Sequence, residues 1–184
     1  MNILQIIAVI STLLCVYLTT KENKLGWILA MISAISLILV YIENKFYGQI
    51  VLQTIFLGQA IYGWYSWNPN NNLQISKQNN TLLFYDLICV LGISVYISNT
   101  IQTLNPDINS RIYLDNMILA IGILGEYYLI KKYIQSWLLF MSYNIILMTM
   151  LLIEHVYLIA GLNIVLCCIS FTGYLRWGKI LKIC

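Results

Sequence analysis

The 184-residue sequence carries ten basic and seven acidic residues, so only 9% of it is charged, while 60% is hydrophobic and the mean hydropathy is +0.80. A soluble domain carries about 25% charged residues, so this chain cannot coat a water-facing surface. A cytosolic enzyme, a disordered tail, a nucleic-acid-binding module and a large extramembrane domain are thereby excluded, and an all-α polytopic membrane protein remains.

Apolar runs predict seven spans, near 2–19, 26–42, 50–67, 82–99, 113–130, 137–153 and 159–177. The first has neither a basic n-region nor a small-residue cleavage site and reads as a helix rather than a signal peptide. The connections are short and polar: Lys21-Glu22-Asn23-Lys24, Glu43-Asn44-Lys45, an Asn-rich loop from Asn68 to Asn80, Asn105-Pro106-Asp107, Lys131-Lys132 and Glu154-His155. Pro69 and Pro106 bracket the fourth span, which reads as a linker between two halves. The expected organisation is a first three-helix repeat over 1–67, a linker with the fourth helix over 68–112, and a second repeat with a cytoplasmic tail over 113–184. Cys15, Cys89, Cys167 and Cys168 fall within apolar runs and read as small hydrophobes rather than a disulfide framework.

With seven crossings, Lys21, Lys24, Lys77, Lys131, Lys132, Arg176, Lys179 and Lys182 lie on one side and Lys45 and Arg111 on the other. Basic residues mark the cytoplasmic side, so the N-terminus is expected outside and the C-terminus in the cytoplasm.

Displacing the sequence by 110 positions without a gap superposes Tyr17 on Tyr127, Lys21 on Lys131, Trp27 on Trp137, Tyr47 on Tyr157, Gly63 on Gly173 and Trp67 on Trp177, with Trp64 facing Tyr174. Coincidence of the rarest residues at one register indicates an internal repeat. Equivalent helices are separated by an even number of crossings, so the repeats are expected to be parallel, an arrangement found in secondary transporters with a midplane site at the repeat interface.

Polar and aromatic residues form helical stripes. Asn163, Cys167, Ser170, Tyr174 and Trp177 share one face of the last span, and their register mates Gln53, Leu57, Ala60, Trp64 and Trp67 share a face of the third. A carboxamide at one end and two rings at the other suit a flat polar heterocycle. For Trp67 and Trp177 an interfacial aromatic belt stands beside a pocket as the reading. For Gln53 and Asn163 an interhelical hydrogen bond, worth about 0.6 kcal/mol in membranes, stands beside ligand binding. Trp137, Phe140 and Asn144 share a face of the sixth span with Tyr143 beside them, and a mid-membrane amide needs either a neighbouring helix or a ligand as partner.

Glu126 is a carboxylate inside a span, which calls for a cationic ligand, protonation, or a reach towards Lys131. Asp86 lies close enough to a helix end to be hydrated, and His155 reads as a solvated loop residue. The sequence has no His/Cys set at metal-ligand spacing, no phosphate-binding glycine loop and no GxSxG, so no metal, cofactor or catalytic residue is expected.

Trp27 after a short basic loop, Tyr47, Gln53, the run Tyr62-Gly63-Trp64-Tyr65-Ser66-Trp67, then Tyr113-Leu114-Asp115, Lys131-Lys132, Ser136-Trp137-Leu138-Leu139-Phe140, Tyr143-Asn144 and Gly173-Tyr174-Leu175-Arg176-Trp177 follow one another in an order and spacing that resembles the PnuC family of nicotinamide riboside and related vitamin transporters. The resemblance covers nearly the whole chain. It implies seven helices in a three plus one plus three arrangement, a fold similar to the SWEET sugar transporters, and often a homotrimer in the cytoplasmic (inner) membrane. It also implies facilitated entry of nicotinamide riboside for NAD synthesis, with thiamine as the rival cargo. By motif position Trp137, Tyr143 and Asn144 match the family's binding segment on the sixth helix, and Gln59 and the YGWYSW region match the third. Phe140 stands where the family often has a second tryptophan, and Glu126 where a glutamine is common. The candidate substrate-binding residues are thus Trp137, Tyr143, Asn144, Gln53, Gln59, Trp27, Trp64, Trp67, Glu126, Asn163 and Tyr174. The lipid bilayer and a small vitamin are the expected partners, and nucleic acid is not. Two other classes leave distinct marks: a membrane-embedded enzyme needs carboxylates or a thiol at the pocket, and an assembly subunit has no use for a polar, aromatic cavity.

Overall fold

The computed structural model describes residues 3–43, 47–104, 112–153, 155 and 157–183. Asn44, Lys45, Asn105, Pro106, Asp107, Arg111 and Glu154, which the sequence places in outer connections, lie outside the described residues.

Seven α-helices are formed among the described residues: α1 (Ile3–Thr20), α2 (Leu25–Glu43), α3 (Tyr47–Ser66), α4 (Asn80–Leu104), α5 (Ile112–Ile130), α6 (Gln135–Ile153) and α7 (Tyr157–Ile183). Each coincides with an apolar run, because in hydrocarbon the backbone must satisfy its own hydrogen bonds within the segment. Among the described residues six helices are long and apolar enough to cross a membrane; α3 is the exception. Its 20 residues span about 30 Å at 1.5 Å per residue, so length is sufficient. Gln49, Gln53, Thr54 and Gln59 dilute its hydropathy. The outer faces carry large apolar side chains, such as Ile10, Val51, Ile88, Tyr96 and Ile164, each more than 35% exposed, as a lipid-facing surface requires. The protein is a multi-pass membrane protein.

The α1–α2 and α5–α6 turns are built alike. The amide of Asn23 donates to Leu18 O and that of Glu22 to Thr19 O; Tyr133 donates to Tyr128 O and Lys132 to Leu129 O. This is the Schellman closure, with a residue in the left-handed region just past the helix. Here Glu22 (φ 55°) and Lys132 (φ 56°), rather than glycine, occupy it.

Helix packing follows a matching pattern. α1 packs on α2, α2 on α3, α5 on α6, and α6 on α7, while α1 meets α7 and α3 meets α5. α4 packs chiefly on α5, where Tyr128 donates its hydroxyl to Asp86 at 2.6 Å; Asp86 is therefore paired, not simply hydrated. The loop between α3 and α4 docks under the α5–α6 turn. Ser76 N donates to Lys132 O, Ile134 N to Ser76 O, and Gln135 Nε2 to Gln78 O. The turns bearing Lys21, Lys24, Lys131 and Lys132 thus gather at one end of the bundle, where Trp177 also reaches Thr20.

The core at that end is aromatic. Trp27, Trp67, Trp137 and Trp177 form one buried cluster with Ala60, Leu129, Ile130 and Ile134. Trp27 meets Trp67 edge-on at 5.3 Å, and Trp137 meets Trp177 edge-on at 5.2 Å, geometries that the ring quadrupole favours. Gly63 and Gly173 make these contacts possible: a Cβ would lie 2.5 Å from the Trp27 ring in one case and 2.7 Å from the Trp137 ring in the other.

Candidate functional site

Above the tryptophan cluster lies a cavity of about 250 Å³ enclosed by α1, α2, α3, α5, α6 and α7. Its wall gathers the chemistry that the helical spacing places on single faces. From α6 come Trp137, Phe140, Tyr143 and Asn144; from α5, Gly122 and Glu126; from α3, Gln53 and Phe56. Trp137 and Phe140 lie 6.3 Å apart with tilted rings. One turn further on, Asn144 spends its Nδ2 on the Phe140 carbonyl at 2.7 Å, which leaves its buried Oδ1 without a partner among the described residues. The indole Nε1 of Trp137 is likewise buried and has no partner among the described residues. Buried polar atoms are paired in the great majority of cases, so two such atoms on wall residues point to a ligand that completes them.

Among the described residues, Glu126 is the only charged side chain in the wall, and no Lys, Arg or His lines the cavity. Its carboxylate makes no ion pair or hydrogen bond among the described residues. Lys131 turns away from it, donating to the Tyr62 hydroxyl at 3.4 Å and lying 5.8 Å from the faces of Tyr62 and Tyr127. The hydroxyl holds the Lys131 ammonium above its usual range. The reach from Glu126 to Lys131 that the sequence allows is therefore not made.

Five of the eleven candidates, Trp137, Tyr143, Asn144, Gln53 and Glu126, meet in this wall. The other six stand outside it. Gln59 donates from α3 to Ile123 O on α5 at 3.1 Å, with its Oε1 buried and unpaired. Trp27 is wholly buried beneath the cavity, with its Nε1 unpaired. Trp64 lies under the Lys24 ammonium, 4.0 Å from its ring centroid, and Tyr174 packs against the tryptophan cluster. Trp67 is 5% exposed and Trp177 not at all, so neither forms a lipid-facing belt. Trp67 donates its Nε1 to Ile130 O, and Trp177 to Thr20 O. Asn163 is buried on α7. His155 is exposed and shares a 2.8 Å hydrogen bond with the Tyr157 hydroxyl, so it is not a lone solvated ring.

Sequence reasoning missed the opposite wall, where α1 supplies Thr12, Cys15 and Thr19 and α2 supplies Ser33. A signal for it exists in the spacing of Thr12, Cys15 and Thr19 by three and four residues on one helical face. Small polar residues blend into an apolar run, and aromatic residues and amides draw attention first. Among the described residues no three His, Cys, Asp or Glu side chains are grouped to hold a metal ion.

A second, more polar cavity of about 380 Å³ opens at the lysine-rich end, lined by Glu22, Lys24, Trp67, Asn72 and Lys132 among others. Lys132 Nζ bridges to Glu22 Oε2 at 2.8 Å across it.

Comparison with known proteins follows the same lines. The family described as nicotinamide mononucleotide transporter matches residues 2–179. The nicotinamide riboside transporters PnuC of Escherichia coli (strain K12) and of Shigella flexneri are each 21% identical over 201 residues, covering 95% of this chain and 84% of theirs. A crystal structure of the vitamin B3 transporter PnuC shares the fold, with a TM-score of 0.73 at 18% identity, over 97% of this chain and 82% of that one. These relatives are membrane transporters and not enzymes. With a family match over residues 2–179 and a shared helical fold, the chain belongs to the PnuC-type nicotinamide mononucleotide transporter family.

Proposed function

We propose that this protein is a uniporter that admits nicotinamide riboside through the cytoplasmic (inner) membrane for NAD synthesis. The observation that carries the reading is the cavity's charge: one carboxylate, Glu126, and no basic side chain. A mononucleotide would bring a phosphate into an acidic, low-dielectric space, which is costly. The riboside is a cation, which Glu126 would compensate. The unpaired Asn144 Oδ1 and Trp137 Nε1 suit the amide hydrogen and carbonyl of a carboxamide, and Trp137, Phe140 and Tyr143 suit the face of a cationic ring. Gln53 completes the proposed contacts. Gln59, Trp27, Trp64, Trp67, Asn163 and Tyr174, also candidates from the sequence, are proposed to hold or gate that wall. An inside-negative potential favours inward movement of a cation by about 2.3 kcal/mol per 100 mV, so uptake needs no coupling ion.

The proposed architecture is seven crossings, α3 included, with the N-terminus outside and the C-terminus cytoplasmic. Two parallel repeats, over 1–67 and 113–184, are joined by a linker over 68–112 that contains α4, and the assembly is a homotrimer. The recurrence of contacts at an offset of 110 supports the repeats. Glu22 and Lys132 are register mates that touch each other, as are Trp67 and Trp177, which is what residues beside a two-fold axis do. Rocking of the repeats would then part the Glu22–Lys132 bridge and the tryptophan floor, which makes this region the inner gate.

Thiamine, also a cation, is the second reading; its aminopyrimidine lacks the carboxamide that Asn144 and Trp137 would complete. Purified protein in liposomes should accumulate radiolabelled nicotinamide riboside under an inside-negative potential without a sodium or proton gradient, and should bind it more tightly than thiamine. Uptake only with an imposed ion gradient would overturn the uniport mechanism, and preference for thiamine would overturn the cargo.

A further inference from the structure

The wall opposite α6 carries a hydroxyl pair with an unusual proton balance. Thr12 Oγ1 lies 2.9 Å from Ala8 O, Ser33 Oγ lies 3.2 Å from the same carbonyl, and the two hydroxyls lie 2.7 Å apart. Both residues line the cavity, and Ser33 is 6% exposed. Two hydroxyls supply two protons, and three contacts compete for them. Whichever way the shared hydrogen bond runs, both protons are committed within the protein. The pair therefore turns only lone pairs towards the cavity.

We infer that Thr12 and Ser33 form an acceptor-only subsite that selects a ligand whose far end donates hydroxyl hydrogens, and so fixes the sugar of a nucleoside while α6 holds the base. This rests on the proposed function and extends it to the half of the substrate that the aromatic wall does not reach. Glu126 and Asn144 Oδ1 also accept, while Trp137 Nε1 on α6 is the donor that faces the base. Acceptors at the Thr12–Ser33 end suit a ligand that donates hydroxyl hydrogens there. They disfavour ligands whose outer end carries acceptors alone, because acceptor facing acceptor leaves both unpaired in a low-dielectric space. The arrangement also holds the subsite rigid, since Ser33 on α2 and Thr12 on α1 anchor each other through the carbonyl of Ala8.

The test compares two cations that share the ring: nicotinamide riboside, and 1-methylnicotinamide, the ring-nitrogen-methylated pyridinium, which lacks the sugar. Calorimetric binding to the purified full chain is measured for the wild type, Ser33→Ala and the near-isosteric Thr12→Val. Each variant should bind the riboside about tenfold more weakly, the size of one or two lost hydrogen bonds, and should bind 1-methylnicotinamide as the wild type does. Two substitutions on different helices guard against one of them merely perturbing the fold. Variants that keep wild-type affinity for the riboside overturn the subsite alone, as does an equal loss for both ligands. A wild type that binds thiamine but no riboside overturns the functional reading and the subsite with it.

Discussion

Trp67 and Trp177 lie 110 residues apart, and their ring centroids approach to 6.3 Å at the lysine-rich end of the bundle. Each gives its indole N–H to the other half. Trp67 donates to the carbonyl of Ile130, the last residue of α5, and Trp177 to that of Thr20, the last residue of α1. The final carbonyls of a helix have no intrahelical donor, so each indole caps a helix from which it is remote in sequence.

Trp67→Phe and Trp177→Phe each remove one such donor and keep most of the ring. Each should lower stability by roughly 1–2 kcal/mol, the cost of leaving a buried carbonyl unpaired. Thermal unfolding of the purified protein in detergent checks this, and the two losses should be similar. A drop for one variant and none for the other would contradict the reciprocal role of the two rings.

Gly63→Ala and Gly173→Ala form a paired experiment. Both push a methyl into a tryptophan ring, at 2.5 and 2.7 Å, and overpacking of this kind costs about 1–3 kcal/mol. Only the ring behind Gly173, that of Trp137, lines the cavity. Both variants should unfold at lower temperature, while riboside binding should suffer in Gly173→Ala much more than in Gly63→Ala.

Glu126→Gln keeps the shape of the side chain and removes the one charge in the wall. Uptake of a cationic substrate should fall at least tenfold, about 1.4 kcal/mol in binding. Thermal stability should hold or rise, because an unpaired carboxylate within a span is costly. Loss of folding would instead assign Glu126 a structural role.

The Glu22–Lys132 bridge is partly exposed, with the lysine side chain at 13% and the glutamate at 29%, so its contribution to stability should be only about 0.2–1 kcal/mol. Its effect should appear in gating. Glu22→Gln should speed labelling of the cavity cysteine, Cys15, by a water-soluble thiol reagent added on the side of the lysine-rich end, measured with the other cysteines replaced by serine. The charge swap Glu22→Lys with Lys132→Glu should restore the slow rate. Unchanged labelling in all three proteins would remove the bridge from the gate.

The sequence by itself determined a great deal here, because the bilayer imposes strict demands. Nine per cent charge and long apolar runs admit only spanning helices, and those runs mark the ends of all seven described helices to within three residues, except that α4 and α7 run about five and six residues further at their C-terminal ends. Helical spacing likewise put Trp137, Phe140 and Asn144 on one face, and the offset of 110 tied Trp27 to Trp137 and Gly63 to Gly173 before any contact was known. Tertiary structure alone decided which faces meet. Spacing within one helix carries no information about the neighbour across from it. For that reason Trp67 and Trp177, legible as belt or pocket, are buried caps on distant helices. Lys131 turns to Tyr62 instead of Glu126, and Thr12 and Ser33, inconspicuous in apolar runs, share a carbonyl at the cavity wall. Proximity between helices depends on packing, such as the rings admitted by Gly63 and Gly173, and that packing sets which atoms are left without partners for a substrate to complete.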